Sequence, residues 1–211
     1  MRFYSLNDAF VVVRLNLVVV RLNSIDSNSK KTALGHADAM YTVVIIMDEN
    51  EDYFDDVWNV YFHDPVDKDW TFKSYALLNT ISSPAEYWMT HAAITPERLH
   101  LGMFFLIREH IYPCWDDPSN KDGGCYSIKV PRLAVDSFWQ KVCALVLTES
   151  IDLLEVNGLS ISPKGQYCIV KLWTGQKPPS SAAEAAKLVA DLTHVMPHGF
   201  VGSIVWRSWM E

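Results

Sequence analysis

The stretch Trp115-Asp116-Asp117-Pro118-Ser119-Asn120-Lys121-Asp122-Gly123-Gly124 sets a large aromatic and two carboxylates at the head of a run of turn-forming residues. Gly, Pro, Asn and Asp each favour turns, so Trp115 belongs to a loop. Two readings of the Trp115-Asp116 pair stay open at this point. Trp115 can cap the core with the aspartates as turn chemistry. Alternatively its indole offers a flat face, and Asp116 offers acceptors, to a planar, cationic, NH-bearing ligand.

Working outward, Met103 to Arg108 reads as a strand entering this loop, and Cys125 to Val130 as the return strand leaving it. Trp58 to Phe62 alternates large residues and reads as a strand. A polar loop, His63-Asp64-Pro65-Val66-Asp67-Lys68-Asp69, leads to Trp70, and Phe72 to Ile81 resumes as a strand. Ser83-Pro84-Ala85-Glu86 starts a helix: Ser83 caps, Pro84 fits the first helical position, and Glu86 completes a capping box. This helix carries Trp88 and ends before Pro96. Asp136 to Ser150 is a longer helix with Trp139, Val142, Cys143 and Val146 on one face. Leu159 to Ser162 and Tyr167 to Trp173 form a hairpin around Pro163-Lys164-Gly165-Gln166. Ser181-Ala182-Ala183-Glu184 opens a third helix with Leu188, Val189, Leu192 and Met196 inward, and Phe200 to Trp206 is a last strand. Hairpin pairing is antiparallel, and three helices bury their apolar stripes on one face of the sheet. The expected fold is α+β, a curved antiparallel sheet backed on its convex face by three α-helices, with the uncovered face left for a site.

The 211 residues suffice for one domain with a sizeable core. A net charge of −7 excludes a broad nucleic-acid backbone grip, so a nucleic-acid role must rest on a local pocket. Eight Trp supply both core and stacking faces. The four Cys lack paired metal-ligand spacing, so no metal site and no cofactor are expected. With no secretory signal, a reducing compartment, the cytoplasm, is expected. Residues 1–40 read as an N-terminal extension of no assigned role, and 41–211 as the α+β domain. The extension repeats Val-Val-Val-Arg-Leu-Asn at 11–16 and 18–23, and Ser24 to Lys31 is linker-like. Tyr41 to Met47 is either an added strand or an arm ordered by a partner. Trp58, Trp139 and Trp206 are assigned to the core.

In order and at compatible spacings, these residues resemble the translation initiation factor 4E family, which binds the messenger-RNA cap. The resemblance runs from Trp58 to Trp206. Its marks are Trp58, Asp67-Lys68-Asp69-Trp70, Glu86-Tyr87-Trp88, Pro113-Cys114-Trp115-Asp116-Asp117, Asn120 to Gly124, Phe138-Trp139, Glu149-Ser150 and Leu172-Trp173-Thr174. It implies that 7-methylguanosine lies between Trp70 and Trp115, that Asp116 accepts its N1–H and amino protons, and that Trp173 meets its methyl group. Stacking is worth about 1–3 kcal/mol per base face, and a hydrogen bond to a charged group about 1.5–3. Against an association cost of at least about 4 kcal/mol, the base alone binds weakly.

The resemblance also shows departures. The family's phosphate-binding cations fall at Cys125, Ser162 and Ile169, leaving Lys164, Lys171 and Arg207 as candidates. Asp116 is one methylene shorter than the usual Glu. The family's C-terminal flap is expected to be missing. Trp88 matches the anchor for a partner helix, an initiation scaffold or a repressor, but Gln140, Lys141 and Asp52-Tyr53-Phe54 replace the flanking pattern. No membrane partner is expected. The leading reading is a non-enzymatic cap-binding initiation factor. The alternatives are a cap-binding repressor or storage factor, and a nucleotide or cap hydrolase using Cys114 or His63-Asp64, neither of which has a third partner at recognisable spacing. Because the phosphate positions are depleted of cations, a 7-methylguanosine monophosphate should bind within ten-fold of the triphosphate, as titration calorimetry of the two would measure.

Overall fold

The structure is a computed structural model that describes residues 10–13, 18–22, 43–44, 53–151, 155–176, 190, 192, 195–196 and 204–209. The sequence repeat falls on two strands, β1 (Phe10–Val13) and β2 (Val18–Leu22), paired antiparallel with Val11 opposite Val20. A two-residue strand, β3 (Val43–Val44), pairs with β2. These form a small sheet by themselves.

The main body is a curved, seven-stranded antiparallel sheet. Its strands are β4 (Trp58–His63), β5 (Ala76–Ile81), β6 (Met103–Arg108), β7 (Gly124–Pro131), β8 (Val156–Lys164), β9 (Tyr167–Thr174) and β10 (Ile204–Ser208). They run in the order β10-β7-β9-β8-β6-β4-β5. The expected α+β architecture is observed. One pairing differs: β7 is not the return partner of β6, because the β8–β9 hairpin stands between them, with β6 on β8 and β7 on β9. The hairpin itself is longer than its apolar residues indicate. It turns at Gly165 and Gln166, and Gly165 adopts the left-handed φ of 61° that glycine accepts without strain. The segment read as one strand from Phe72 begins instead with a 3₁₀ turn, Phe72–Ser74.

Three helices are described. α1 (Pro84–Ala93) starts where proline fits. The Glu86 carboxylate accepts hydrogen bonds from the Ser82 N–H at 2.7 Å and hydroxyl at 2.9 Å. α2 (Pro96–Leu99) is a single turn that seats the fully buried Leu99. α3 (Val135–Leu147) buries Val135, Phe138, Trp139, Val142, Cys143, Val146 and Leu147, a stripe of helical period. Each such side chain contributes about 1.5–3 kcal/mol on burial. The helix closes with Ser150 N–H donating to Leu145 O (2.8 Å) and Glu149 N–H to Val146 O (3.1 Å), the bond pattern that requires a left-handed residue between them. Glu149 takes that position at φ 51°, where glycine is usual. Its carboxylate meets Arg108 at 2.8 Å. Arg108 also pairs with Asp56, lies 4.8 Å over the Trp58 ring and donates to Val156 O. The helix expected from Ser181 lies largely outside the described residues; Ala190 and Leu192 are helical, and Leu192 and Val195 join the core.

Strand periodicity sorts the side chains. Trp58, Val60, Phe104, Leu106, Tyr126, Ile128, Leu159, Ile161, Val170 and Leu172 face the helices and form the main core. The alternate positions, Tyr61, Phe105, Ile107 and Trp173, form a second cluster on the opposite face, joined by Tyr75, Met103 and Trp209. Trp58 and Trp139 are core residues, and Trp206 packs against that core half-buried.

Gly158 sits where β8 crosses β6: a Cβ there would meet the Ile107 side chain and, at 2.6 Å, the Leu106 carbonyl. Gly158→Ala should therefore lower unfolding free energy by about 1–3 kcal/mol, read from urea denaturation midpoints at unchanged slope.

Candidate functional site

The loop between β4 and Trp70 is built from three aspartates. Asp64 accepts from Val66 N–H at 2.9 Å, Asp67 from Asp69 N–H at 2.9 Å, and Asp69 from Thr71 N–H at 2.8 Å. Each closes a turn two residues on. These bonds hold the Asp69 carboxyl below its ordinary value, backbone and side-chain bonding at Thr71 being the largest causes. The loop delivers Trp70 to the helix-free face, half exposed. One face of its indole lies on the ring of His63, with centroids 4.3 Å apart and planes 4° from parallel.

Trp115 stands in the loop between β6 and β7. Here the two carboxylates separate in role. Asp117 is buried and accepts from Tyr112 N–H (3.1 Å) and Ser119 N–H (2.8 Å). Asp116 is exposed and makes no hydrogen bond or ion pair among the described residues. The loop is latched by two buried amides. Asn120 donates to Cys114 O (2.9 Å) and Tyr112 O (3.3 Å), while Asn157 of β8 donates to Asn120 Oδ1 (2.9 Å) and Ser119 O (2.7 Å). Gly123 and Gly124 end the loop because backbone passes over both: a Cβ would strike the Thr174 carbonyl at the first and the Arg207 carbonyl at the second.

Two clefts of about 360 Å³ each share Trp70, Cys114 and Trp115. The outer one adds Asp116, Phe72 and Tyr112. The inner one adds Trp173, Trp209, Tyr75, Met103, Ser160, Ser162 and Lys171. Trp173 is buried at the floor, where its Nε1–H donates to Ser160 Oγ at 2.9 Å. Thus Trp70, Trp115 and Asp116 meet around one cleft, and Trp70, Trp115 and Trp173 around the other. Of the candidate cations, Lys171 lines the inner cleft, its ammonium 5.4 Å over the Trp209 ring. Arg207 is exposed on β10 opposite Cys125. Burial pushes the Cys125 thiol up while Lys171 and Arg207 pull it the other way, so both cations stand near it. Lys164 stands at the hairpin tip and lines neither cleft. Trp88 lies on α1, half-buried against the helix-side core, with the Tyr87 and His91 rings beside it at 5.0 and 5.9 Å.

Trp209, Tyr75, Met103 and Ser160 are cleft residues that motif reading misses. Counting by twos from Arg207 reaches Trp209 on the same face, a signal that was legible. The Cys114 thiol is pushed up to about 11 by burial, reinforced by Asp116 and Asp117, so it stays protonated at neutral pH. Among the described residues no group of three or more His, Cys, Asp or Glu is placed to hold a metal, and no helix is long and apolar enough to cross a membrane.

The family model described as eukaryotic initiation factor 4E matches residues 53–200. The chain belongs to this family. It is 28% identical over 138 residues to eukaryotic translation initiation factor 4E-1 of Zea mays, covering 62% of this chain and 61% of that one. It is 32% identical over 124 residues to the Eremothecium gossypii initiation factor 4E, covering 54% and 59%. The chain thus spans about three-fifths of the length of these curated relatives. Two solved structures share the fold at 16% identity. One is Ascaris suum eIF4E-3 with an m2,2,7G cap (TM-score 0.64, 75% of this chain and 92% of that one). The other is a schistosome eIF4E with m7GpppA and 4E-BP (TM-score 0.66, 77% and 90%). The initiation factor 4E fold here carries its cleft on the sheet face opposite the helices.

Asn120 is fully buried and every polar contact of its side chain is internal. Asn120→Ala should cost about 1–3 kcal/mol and speed hydrogen exchange across 112–120, measured by mass spectrometry, while exchange in α3 stays slow.

Proposed function

We propose that this chain is a non-enzymatic, cytoplasmic cap-binding protein that recruits messenger RNA for translation initiation. One observation carries the reading: two half-exposed indoles from distant loops line the same pair of clefts, with an unengaged carboxylate at one end and a third indole at the other. N7-methylation makes guanine cationic. A cationic ring between indole faces gains stacking and cation–π attraction together. In this reading the guanine N1–H and amino group point to Asp116 in the outer cleft, and the methyl group points to Trp173 in the inner one. The Asp116 carboxylate then both accepts hydrogen bonds and neutralises the purine charge.

Lys171 is the phosphate contact in this reading, with Arg207 and Lys164 further along the path of the chain. A base-dominated affinity is supported by Ser162, which lines the cleft at a position where a cation was expected. The helix face around Trp88, with Met89 exposed beside it, is the docking face for a partner helix, from an initiation scaffold or a repressor. Against hydrolysis stand the protonated Cys114 thiol and the burial of His63, which spends its Nε2 on the Asp69 carbonyl at 2.9 Å.

Retention on immobilised 7-methylguanosine nucleotide, with unmethylated guanosine nucleotide as control, tests the reading. The wild type should be retained only by the methylated ligand. Trp70→Ala and Trp115→Ala should each weaken binding about ten- to hundred-fold, with both proteins still folded by circular dichroism because both rings are half exposed. Equal retention on the two matrices would remove the proposal.

A further inference from the structure

His63 is the residue the cap-binding reading leaves unexplained. It is fully buried on β4, directly beneath an indole that is half exposed. Three contacts define it. Its ring lies flat against Trp70 at 4.3 Å. Its Nε2 meets the carbonyl of Asp69, the residue before Trp70, at 2.9 Å. That carbonyl is an acceptor only, so Nε2 carries the hydrogen and donates. Its Nδ1 is buried with no hydrogen-bond partner, which fits a neutral ring with a bare nitrogen there. Around it stand Asp69 from its own loop, Tyr75 with its ring 4.9 Å away, and Met103 opposite it on β6. Of these, Asp69 is the ionised group, and its backbone carbonyl is the one on Nε2.

We propose that His63 is a positioning residue that makes ligand binding at the Trp70 face sensitive to protons: neutral, it braces the indole; protonated, it competes with a cationic ligand for the same π system. The bracing half stands on geometry alone, while the ligand half rests on the cap-binding reading above. A ring bonded to the Asp69 backbone and stacked on the Trp70 side chain fixes both the loop and the indole's tilt. A second cation on the opposite face of that indole would lie within about 8 Å of a protonated His63, two stacking spacings away. Two positive charges at that separation in a partly buried site repel enough to weaken binding about ten-fold. Protonation also creates a buried N–H at Nδ1 with no acceptor. By reciprocity, a cationic ligand on Trp70 drives the proton off His63.

The experiment compares wild type, His63→Phe and His63→Ala for 7-methylguanosine triphosphate affinity at pH 7.5 and 5.5, a span in which imidazole is the ordinary side chain that changes charge. Wild type should lose affinity on acidification, by less than the ten-fold that separates the two charge states. His63→Phe keeps a braced but uncharged ring, and should bind like wild type at pH 7.5 and lose less on acidification, the ligand's terminal phosphate still changing charge in this span. His63→Ala should bind at least ten-fold more weakly at both pH values. Identical pH profiles for wild type and His63→Phe, or full affinity in His63→Ala, overturn the proposal. A second readout needs no ligand. An imidazolium stacked on an indole quenches its emission, so the fluorescence difference between wild type and Trp70→Phe should shrink on acidification. If the wild type ignores the methylated nucleotide at pH 7.5, the cap-binding reading fails, and this emission arm alone decides the His63 brace. An unchanged difference overturns it.

Discussion

The edge requirement of β-strands governs this molecule. β6 and β7 flank the Trp115 loop but cannot pair with each other, because β8 and β9 fill the space between them and satisfy one edge of each. Strands are spaced about 4.8 Å apart, so β6 and β7 lie about 14 Å apart. The connection must cross the end of the sheet, and a chain that crosses there passes over the helix-free face. That crossing brings Trp115 over the same face as Trp70. The latch that holds it, Asn157 to Asn120 and Ser119, comes from the inserted hairpin itself. The strand insertion and the placement of the second indole are therefore one event.

Each aromatic wall is held by a different device suited to its neighbours. Trp70 rests on short-range aspartate turns and a ring beneath it. Trp115 rests on buried amide bonds that reach across 37 residues. Both arrangements fix the walls before any ligand arrives, which lowers the ordering cost that association otherwise carries. Both also leave the indoles half exposed, one over the buried His63 ring and the other on the buried amides of Asn120 and Asn157.

Most elements were legible because their signal is local. Alternation located β4, a continuous apolar run located β6, the turn residues 163–166 located the β8–β9 hairpin, and the apolar stripe located α3. Pro84 and Glu86 located the start of α1, although the carboxylate reaches back to Ser82. The 3₁₀ turn at Phe72–Ser74 was not legible, because its residues are as compatible with a strand. The pairing of β7 was misread for a deeper reason: a loop's sequence says that the chain turns, not which strand waits at the far side. The distinction between Asp116 and Asp117 was hidden in the same way. The two residues are chemically identical and adjacent, and only the amides of Tyr112 and Ser119 choose which one becomes scaffold.

In the cap-binding reading, the inner floor accounts for how a chain of net charge −7 would hold an RNA terminus. Cations lining the whole cleft would favour any phosphate backbone, capped or not. Here Ser160, Ser162 and the paired indoles of Trp173 and Trp209, 4.6 Å apart, occupy that surface, and Lys171 lies against one of those rings. In the cap-binding reading, attraction is then concentrated on the methylated purine, the positively charged part of the ligand. In that reading the net charge of −7 disfavours bare RNA while Asp116 and the indole faces attract the cationic base. Selectivity for the cap over the polynucleotide would, in that reading, follow from that opposition of signs, without a basic groove.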